Sequence, residues 1–367
     1  MSMVKLSDIT INLDNKRKPL SGEARDKISV EKKYPYCGAN NIIAFVDEYL
    51  FDEEILCIAE DGGKWGLDET CSYIMNEKCW VNNHAHVIKV IDKNSTDVRY
   101  LKYWLNHKDL NKLITGAIVK KLTQKSLNNI EIDMPSIDIQ RTISDKLDYV
   151  QTLIDIRNQQ ISKLNELLKS QFVVMFENQN YPKINFINLC NKIGDGLHGT
   201  PRYSEEGKYP FINGNNFIDG KIAITESTKY VDEQEFDKLK INLSENTIFL
   251  SINGTLGKTA FYNNENIVLG KSACYFDLKE NINKKYIYGV LNSALFINYI
   301  ENSATKSTIK NVGLKALREF KVLIPPIELQ NKYGSLFEKI DKQKAEIKKS
   351  IKKLEELKSA LMQEYFG

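Results

Sequence analysis

Residues 130–176 read IEIDMPSIDIQRTISDKLDYVQTLIDIRNQQISKLNELLKSQFVVMF, and residues 320–366 read FKVLIPPIELQNKYGSLFEKIDKQKAEIKKSIKKLEELKSALMQEYF. The two segments align without a gap at an offset of 190 residues, and nine of the 47 aligned positions are identical. The similarity continues upstream, where YLKYWLN at 100–106 corresponds to YIYGVLN at 286–292. A match of this length predicts that the chain is a tandem duplication of one unit. The identical pairs include Pro135 and Pro325, Ile137 and Ile327, Gln140 and Gln330, Leu167 and Leu357, and Phe176 and Phe366.

Each copy reads as a short strand, a proline and a long helix. The apolar runs 130–134 and 320–324 end at prolines, and proline both ends a strand and suits the first turn of a helix. Apolar residues then recur at alternating spacings of four and three, which is the heptad pattern of a coiled coil. The predicted seam consists of Leu147, Val150, Ile154, Ile161, Leu164 and Leu168 in the first copy, and Phe337, Ile340, Ile347, Ile351, Leu354 and Leu361 in the second.

The length of these helices bears on what they pack against. A helix from about 142 to 175 would be roughly 50 Å long, which exceeds the diameter of a small domain. A heptad stripe can also belong to a surface helix that packs on its own domain. Because the stripe occurs twice, however, we expect the two helices to pair as an antiparallel intramolecular coiled coil related by a pseudo-twofold axis, and to act as a spacer.

Composition excludes several classes of protein. The chain has 367 residues, 42% of them hydrophobic, which is too apolar for a disordered chain. It has no run of about 20 apolar residues, and its N-terminus lacks the apolar segment of a signal peptide, so we expect a soluble, cytoplasmic protein that does not enter membranes. The balance of 51 Lys and Arg against 48 Asp and Glu indicates that any nucleic-acid binding is confined to local patches.

The segments between the helices predict two α+β globular domains. Short apolar runs at 42–46, 55–58, 86–90, 247–252 and 273–278 alternate with Gly- and Asn-rich turns. We therefore predict a globular domain at 1–135, a central helix at 136–178, a second globular domain at 179–324 and a C-terminal helix at 325–367. The two globular sequences differ, which suggests the same kind of task on different targets.

Several turns in both globular segments have a composition typical of nucleic-acid contact. Lys and Arg can neutralise phosphates, and Asn and Arg can form paired hydrogen bonds with base edges. A single turn of this kind could be merely solvated, but basic turns recur in both segments, which favours DNA contact. The candidate DNA-binding residues are Arg17, Lys18, Tyr36, Asn40, Lys64, Trp65, Lys120 and Lys121 in the first segment, and Lys192, His198, Thr200, Arg202, Tyr203, Asn213, Asn215, Asn216, Asn253, Thr255, Lys258, Lys306 and Lys310 in the second.

The sequence contains no consistent pattern for metal binding, phosphate binding or acid–base catalysis. His84 and His86 would share one face of a strand, but neither an acidic residue nor a cysteine has an obvious metal-ligand spacing, and no metal site is predicted. The segment 254–258 (GTLGK) lacks the spacing of a phosphate-binding loop. Glu60 and Asp61 would point to opposite sides of a strand, so a shared acid–base site is not expected.

Together these segments resemble the specificity subunit of type I restriction-modification systems. The similar phrases are MPSIDIQ and IPPIELQ at the helix junctions, and KRKPL, YPYCGANNIIAFVDEYLFDEEILCIAEDGG, GDGLHGTP, YPFINGNNFIDGKI and LSINGTLGK in the globular segments. The resemblance covers essentially the whole chain. It implies that each globular segment is a target recognition domain for one half of a bipartite double-stranded DNA sequence. It also implies that the helices hold the halves apart and bind two methyltransferase subunits, which restriction subunits join in the full complex.

The resemblance implies a chain without catalytic activity. The sequence lacks the NPP[YF]-type motif of adenine methyltransferases and a glycine-rich cofactor loop, so no cofactor is expected here. S-adenosylmethionine, ATP and Mg would then be bound by partner subunits. Two alternatives stay open: a coiled-coil adaptor that does not contact DNA, and an enzyme that fuses methyltransferase and recognition functions. Steep salt dependence of DNA binding would separate the recognition subunit from the adaptor.

Overall fold

The structure, a computed structural model, describes residues 2–367. The chain divides into two compact units, which we call unit 1 (residues 1–159 and 348–367) and unit 2 (residues 160–347). The strands of unit 1 are β1 (Ser2–Lys5), β2 (Thr10–Asn12), β3 (Tyr34–Cys37), β4 (Ile42–Val46), β5 (Ile55–Ala59), β6 (Ser72–Met75), β7 (Trp80–Val81), β8 (Ala85–Val90), β9 (Ile114–Thr115), β10 (Lys121–Leu122) and β11 (Glu131–Met134). Its globular part carries the helices α1 (Leu6–Ile9), α2 (Gly22–Lys27), α3 (Val98–His107) and α4 (Gln124–Asn128), and the long helix α5 (Ile137–Phe172) follows β11.

Unit 2 has a similar series of elements, with some differences in its loops. Its strands are β12 (Lys183–Asn185), β13 (Cys190–Asp195), β14 (Tyr209–Ile212), β15 (Phe217–Ile218), β16 (Lys221–Ile222), β17 (Lys229–Val231), β18 (Thr247–Ser251), β19 (Thr259–Phe261), β20 (Val268–Leu269), β21 (Ala273–Leu278) and β22 (Lys321–Leu323). Its helices are α6 (Glu233–Leu239), α7 (Lys284–Leu291), α8 (Ala294–Ser303) and α9 (Leu314–Glu319), followed by the second long helix, α10 (Ile327–Phe366).

Three of the four sheets in each unit correspond, and the units differ in one two-stranded sheet, β9 with β10 in unit 1 and β15 with β16 in unit 2. Unit 1 contains an antiparallel sheet in the order β2-β8-β5-β6 and a mixed sheet in the order β4-β3-β7, in which β3 and β7 are parallel. Unit 2 repeats both, as β13-β21-β18-β19 and as β17-β14-β20 with β14 parallel to β20. In each unit the first strand also pairs with the last, β1 with β11 and β12 with β22. The globular sequences look unrelated, yet the duplication extends through both globular parts.

The strands predicted from apolar runs are confirmed. Those at 42–46, 55–58, 86–90, 247–252 and 273–278 are β4, β5, β8, β18 and β21, with ends that differ by at most one residue. Strands β5 and β18 are completely buried, because each is the inner strand of an antiparallel sheet that is packed on both faces. Their continuous apolar sequences follow from this burial.

The long helices pair with each other, as the repeated heptads predict. Helix α5 has 36 residues and α10 has 40, or roughly 54 and 60 Å at the usual rise per residue. In unit 1, Lys146 Nζ lies 3.0 Å from Tyr365 Oη, and Lys358 Nζ donates to Gln151 Oε1 at 2.7 Å. Lys146, which comes earlier in α5, contacts the later residue of α10, and Gln151 contacts the earlier one, so the two helices are antiparallel. All twelve predicted seam residues are buried or half-buried in their own units.

In unit 2 the end of α5 packs against the beginning of α10. The rings of Phe172 and Phe176 lie 5.4 and 5.7 Å from that of Tyr333. Phe176 also lies 4.8 Å from Tyr286 of α7. The ring of Phe366 occupies the equivalent place in unit 1, 5.3 Å from Tyr100 of α3. The phenylalanines at the ends of the two copies of the repeat therefore fill the same place in the core of each unit.

A buried glutamine near the start of each long helix ties that helix to its globular part. Gln140 accepts a hydrogen bond from the Asp97 amide at 2.9 Å and donates to the Pro135 carbonyl at 2.8 Å. Gln330 accepts from the Asn283 amide at 3.1 Å and donates to the Pro325 carbonyl at 2.9 Å. Asp97 and Asn283 are the N-caps of α3 and α7. Because these amides and carbonyls are buried, their bonds fix the path of the chain into each helix.

Candidate nucleic-acid interface

Three loops of unit 2 meet at one open cleft of about 790 Å³. The first follows β14, the second joins β18 to β19, and the third lies between α8 and α9. Five of the residues predicted to contact DNA line this cleft, namely Asn213, Asn215, Asn253, Thr255 and Lys310. The sequence places these residues up to about a hundred positions apart, and the sheet topology brings them together.

Short polar side chains hold the loops of this cleft in place. The hydroxyl of Ser272 donates to Asn213 Oδ1 at 2.9 Å and accepts from the Gly214 amide at 2.9 Å. The hydroxyl of Ser251 donates to the Thr255 carbonyl at 2.7 Å. The Gly254 amide donates to the Lys310 carbonyl at 2.9 Å, and Gly254 has a φ of +75°, which favours glycine. The polar tips of these loops are thus presented from fixed backbones.

Not every predicted residue of unit 2 faces the cleft. Asn216 is only 6% exposed, and its amide donates to the Ala223 carbonyl at 2.9 Å and to Thr228 Oγ1 at 3.0 Å. It caps a 3-10 turn with Asn213. This buried structural role counts against direct base contact by Asn216. Lys258 is half-buried, whereas Lys306 is exposed.

The glycine-rich segment at 192–203 was predicted as a loop, but its first four residues belong to strand β13, and the loop that follows pairs with the turn before β21. The Leu197 amide bonds to the Leu269 carbonyl at 2.7 Å, close in sequence to Ser272 of the cleft. Lys192 and Thr200 are exposed. His198 Nε2 lies 2.7 Å from Asp195, and Arg202 forms an exposed ion pair with Asp232 at 2.6 Å. The ring of Tyr203 packs on Phe211, with the ammonium of Lys229 4.5 Å from its centroid.

Corresponding loops of unit 1 also meet. Asn40 donates to the Gly62 carbonyl at 3.1 Å, which joins the loop after β3 to the loop after β5. Asp61 forms a bridge with Lys121, which joins the second loop to the β9–β10 hairpin. The exposed side chain of His84 lies 2.6 Å from Asp61. Lys18, Lys64 and Lys120 are exposed around this region.

Two aromatic residues that were predicted to contact DNA are buried in unit 1. Trp65 is 3% exposed, and its indole donates to the Ala59 carbonyl at 3.2 Å. Tyr36 is also 3% exposed, and its hydroxyl accepts a hydrogen bond from the Leu20 amide. Both rings belong to hydrophobic core clusters, so they pack beneath the loops and do not face solvent. Their burial counts against stacking on bases.

Arg17, another predicted contact, lies in a largely buried ionic cluster. Its Nη1 donates to Glu60 Oε2 at 2.5 Å and to the Ala85 carbonyl at 2.6 Å, and its Nη2 is 3.3 Å from Asp14. Lys121 Nζ lies 2.5 Å from the other carboxylate oxygen of Glu60. The cluster connects the loops that follow β2 and β5 with strand β8 and the β9–β10 hairpin.

His86 completes this cluster from β8. Its Nδ1 faces the Asp14 carboxylate at 2.6 Å, and its Nε2 faces the Leu122 carbonyl at 2.7 Å. Burial raises the pKa of Asp14, but hydrogen bonds from His86 and the Val87 amide outweigh this effect and hold the pKa below its ordinary value. Burial likewise raises the pKa of Glu60, and Lys121 and Arg17 reverse the shift.

Asp14, Glu60 and His86 are the residue types that bind metal ions, and their ligand atoms lie within 4.8 Å of one another. Sequence reasoning missed this group, because the acidic residues are 26 and 72 positions from the histidine. Arg17 and Lys121 already supply two positive charges to the carboxylates, and both nitrogens of His86 are engaged. We therefore interpret the cluster as a set of ion pairs that holds these loops together, and not as a cation-binding site.

Comparison with known proteins gives the same family throughout. The model of the type I restriction modification DNA specificity domain matches residues 1–166 and 189–359. A putative type I restriction enzyme specificity subunit of Haemophilus influenzae is 26% identical over 353 residues, which cover 92% of this chain and 86% of the relative. The MjaIX specificity subunit of Methanocaldococcus jannaschii is 23% identical, and the match covers 74% of this chain and 69% of that protein.

Solved structures share the fold. The crystal structure of a type I restriction-modification S subunit from M. genitalium superposes with a TM-score of 0.59 at 15% identity, covering all of this chain and 96% of that one. A chain from a structural study of complex assembly and conformational transition in the type I system superposes with a TM-score of 0.56 at 14% identity, covering all of this chain and 97% of that one. Within residues 2–367, no helix is both long and apolar enough to cross a membrane.

Proposed function

The chain belongs to the family of type I restriction-modification DNA specificity subunits, and from this premise we propose that each unit reads one half of a bipartite DNA target. As a member of this family it is the non-catalytic, DNA-binding specificity subunit of a restriction system. The proposal that each unit reads one half of the target rests mainly on one observation. The predicted contact loops converge at a polar cleft in unit 2 and meet at the corresponding place in unit 1.

The chemistry of these loops suits the reading of double-stranded DNA. Amide groups such as those of Asn215 and Asn253 can donate to and accept from adenine in the major groove, whereas the oxygen of Asn213 is already occupied by Ser272 and the Asn216 amide. Lys310 lies beside them and can neutralise a phosphate. We assign the recognition domains to 1–135 and 179–324 and the spacer helices to 136–178 and 325–367.

The surfaces of the long helices support the proposal that two methyltransferase subunits bind here. Leu167 and Leu357 occupy the same position of the repeat, and they are 44% and 47% exposed. Two identical partner subunits need two equivalent binding surfaces, and the repeat places an exposed leucine at the same position of each long helix. Tyr149 and Ile156 of α5 are also exposed apolar residues. In this arrangement S-adenosylmethionine, ATP and Mg act in the methyltransferase and restriction subunits, and the spacer helices set the distance between the half-sites.

Mapping of methylated adenines tests the proposal. The full chain is expressed with its methyltransferase partner, and genomic DNA is sequenced for modified bases. We expect one motif with two specific halves and a fixed gap. Exchange of residues 1–129 for those of another specificity subunit should change one half and leave the other half and the gap intact, while the matched exchange of 179–319 should do the converse. A change of both halves in either chimera would contradict the proposal.

A further inference from the structure

Each unit carries an exposed aliphatic side chain at the tip of a lysine-flanked loop. In unit 1, Ile118 is 98% exposed and Val119 is 61% exposed at the tip of the β9–β10 hairpin. In unit 2, Ile309 is 63% exposed in the third loop of the cleft. A single exposed aliphatic side chain is common on protein surfaces, so the significance here rests on its recurrence beside the predicted contact loops of both units.

The two tips are structurally equivalent. The Leu122 amide bonds to the Glu60 carbonyl at 2.8 Å, and the Val312 amide bonds to the Ile252 carbonyl at 2.9 Å. Val119 lies three residues before Leu122, and Ile309 lies three residues before Val312, so the two occupy equivalent positions. Each is followed by a lysine, Lys120 or Lys310. The duplication has thus given both units an aliphatic residue and a lysine at the same point.

The backbone under each tip is fixed by specific bonds. In unit 1, Gly116 has a φ of +99°, and a Cβ there would collide with the Val119 carbonyl oxygen. The Thr115 hydroxyl donates to the Lys121 carbonyl at 3.3 Å across the hairpin. The Ile118 side chain is therefore carried on a hairpin with defined geometry and does not fold back onto the core.

In unit 2, different bonds serve the same purpose. The Thr305 amide donates to the Asn311 carbonyl at 3.0 Å, and the Asn311 amide donates to the Thr305 hydroxyl at 3.1 Å. The Ser307 hydroxyl donates to the Ile309 carbonyl at 2.7 Å. The two loops, which are stabilised by different hydrogen bonds, thus both hold an aliphatic side chain in solvent next to the predicted DNA contacts.

We propose that Ile118 with Val119 in unit 1, and Ile309 in unit 2, enter a groove of the DNA target and make an apolar contact with its bases. This inference rests on the proposed function and adds the apolar part of the contact to it. The surfaces that DNA offers to an aliphatic side chain are thymine methyl groups and the faces of bases at a partly opened step. The neighbouring lysines bind phosphates on either side and hold the tip in the groove.

The test uses the full chain in complex with its methyltransferase partner and a duplex that carries the mapped target. The double variant Ile118→Ala with Val119→Ala should bind about tenfold more weakly, because two aliphatic side chains lose their burial. The slope of affinity against salt should stay unchanged, since no charge is lost. Lys120→Ala should instead lower that slope by about one. Ile91→Ala is the matched control. Ile91 is 55% exposed and follows the last residue of β8, whereas the first residues of β8 lie next to the β9–β10 hairpin, so this substitution should leave affinity unchanged.

Base analogues identify the surface that the tip touches. Deoxyuridine in place of thymine removes a methyl group, and 2-aminopurine fluoresces more strongly when a base step opens. A loss of affinity with deoxyuridine, or a rise in fluorescence that the double variant abolishes, supports the proposal. Wild-type affinity of the double variant, or weaker binding to which neither analogue responds, overturns it. Failure of the wild-type complex to distinguish the target from a scrambled duplex would instead refute the proposed function.

Discussion

Replacement of Arg17 by methionine should destabilise unit 1 by about 3 kcal/mol. The substitution keeps much of the side-chain volume but removes the charge that faces Glu60 and Asp14, whose side chains are 9% and 10% exposed. Removal of one partner from a buried ion pair typically costs roughly 3–5 kcal/mol. The lower end applies here because Lys121 still neutralises Glu60. The Ala85 carbonyl also loses its donor.

The tryptophans provide a selective assay. Trp65, Trp80 and Trp104 are the three tryptophans of the chain, and all lie in unit 1. Urea unfolding followed by tryptophan fluorescence therefore reports on this unit alone. With a urea dependence of roughly 1–3 kcal/mol per molar, the expected loss of stability lowers the midpoint by roughly 1–3 M.

Two further variants make the interpretation specific. Lys18→Met is the matched control, because Lys18 is exposed and its loss should leave the midpoint nearly unchanged. Without Arg17, the carboxylates of Glu60 and Asp14, whose oxygens lie within 4.8 Å of each other, repel each other. Addition of Glu60→Gln to the Arg17 variant removes one of these two charges and should recover part of the lost stability. If the Arg17 variant kept the wild-type midpoint and instead showed a reduced salt slope of DNA binding, Arg17 would be a phosphate contact and the reasoning would be refuted.

Three other outcomes follow from buried contacts. Gln140→Met should lower the stability of unit 1 by about 3 kcal/mol in the same fluorescence assay, because the Asp97 amide and two carbonyls lose their partner; an unchanged midpoint would contradict this. Gly289→Ala should cost unit 2 about 1–2 kcal/mol by hydrogen exchange, with tryptophan unfolding unaffected, since a Cβ would press on the buried ring of Phe172. The pKa values of Asp14 and Glu60 lie below their ordinary values of 3.8 and 4.5, so their contribution to the stability of unit 1 is present above about pH 4.5 and falls as the carboxylates are protonated at lower pH. An acid titration followed by tryptophan emission measures this loss of stability, and a variant without both carboxylates should lose less stability over the same pH range.

The elements that local pattern encodes were predictable from the sequence. The long helices repeat their heptads, and β5 and β18 are continuous apolar runs bounded by turns. The common topology of the two globular parts was not predictable. It depends on which strands pair, and pairs such as β3 with β7 join short segments more than forty residues apart.

The candidate site was predictable as a set of loops but not as a surface. Asn213, Asn253 and Lys310 could be chosen by residue type, whereas their meeting at one cleft depends on tertiary contacts. Burial was the larger difficulty. Trp65 and Arg17 occur in polar, basic segments that resemble contact loops, and only the fold shows that one packs in the core and the other pairs with Glu60. The signal for the exposed tips was present as an aliphatic residue before a lysine in both copies.

The pairing of β1 with β11, and of β12 with β22, brings the two ends of each globular part side by side. In genetic terms this geometry makes each globular part a cassette. A globular part of different length would fit at the same place if its first and last strands paired in the same way, because only the distance between two adjacent strands has to be kept. The chain then enters the following long helix at the same point, so a change of the globular part leaves the length and register of the helix unchanged.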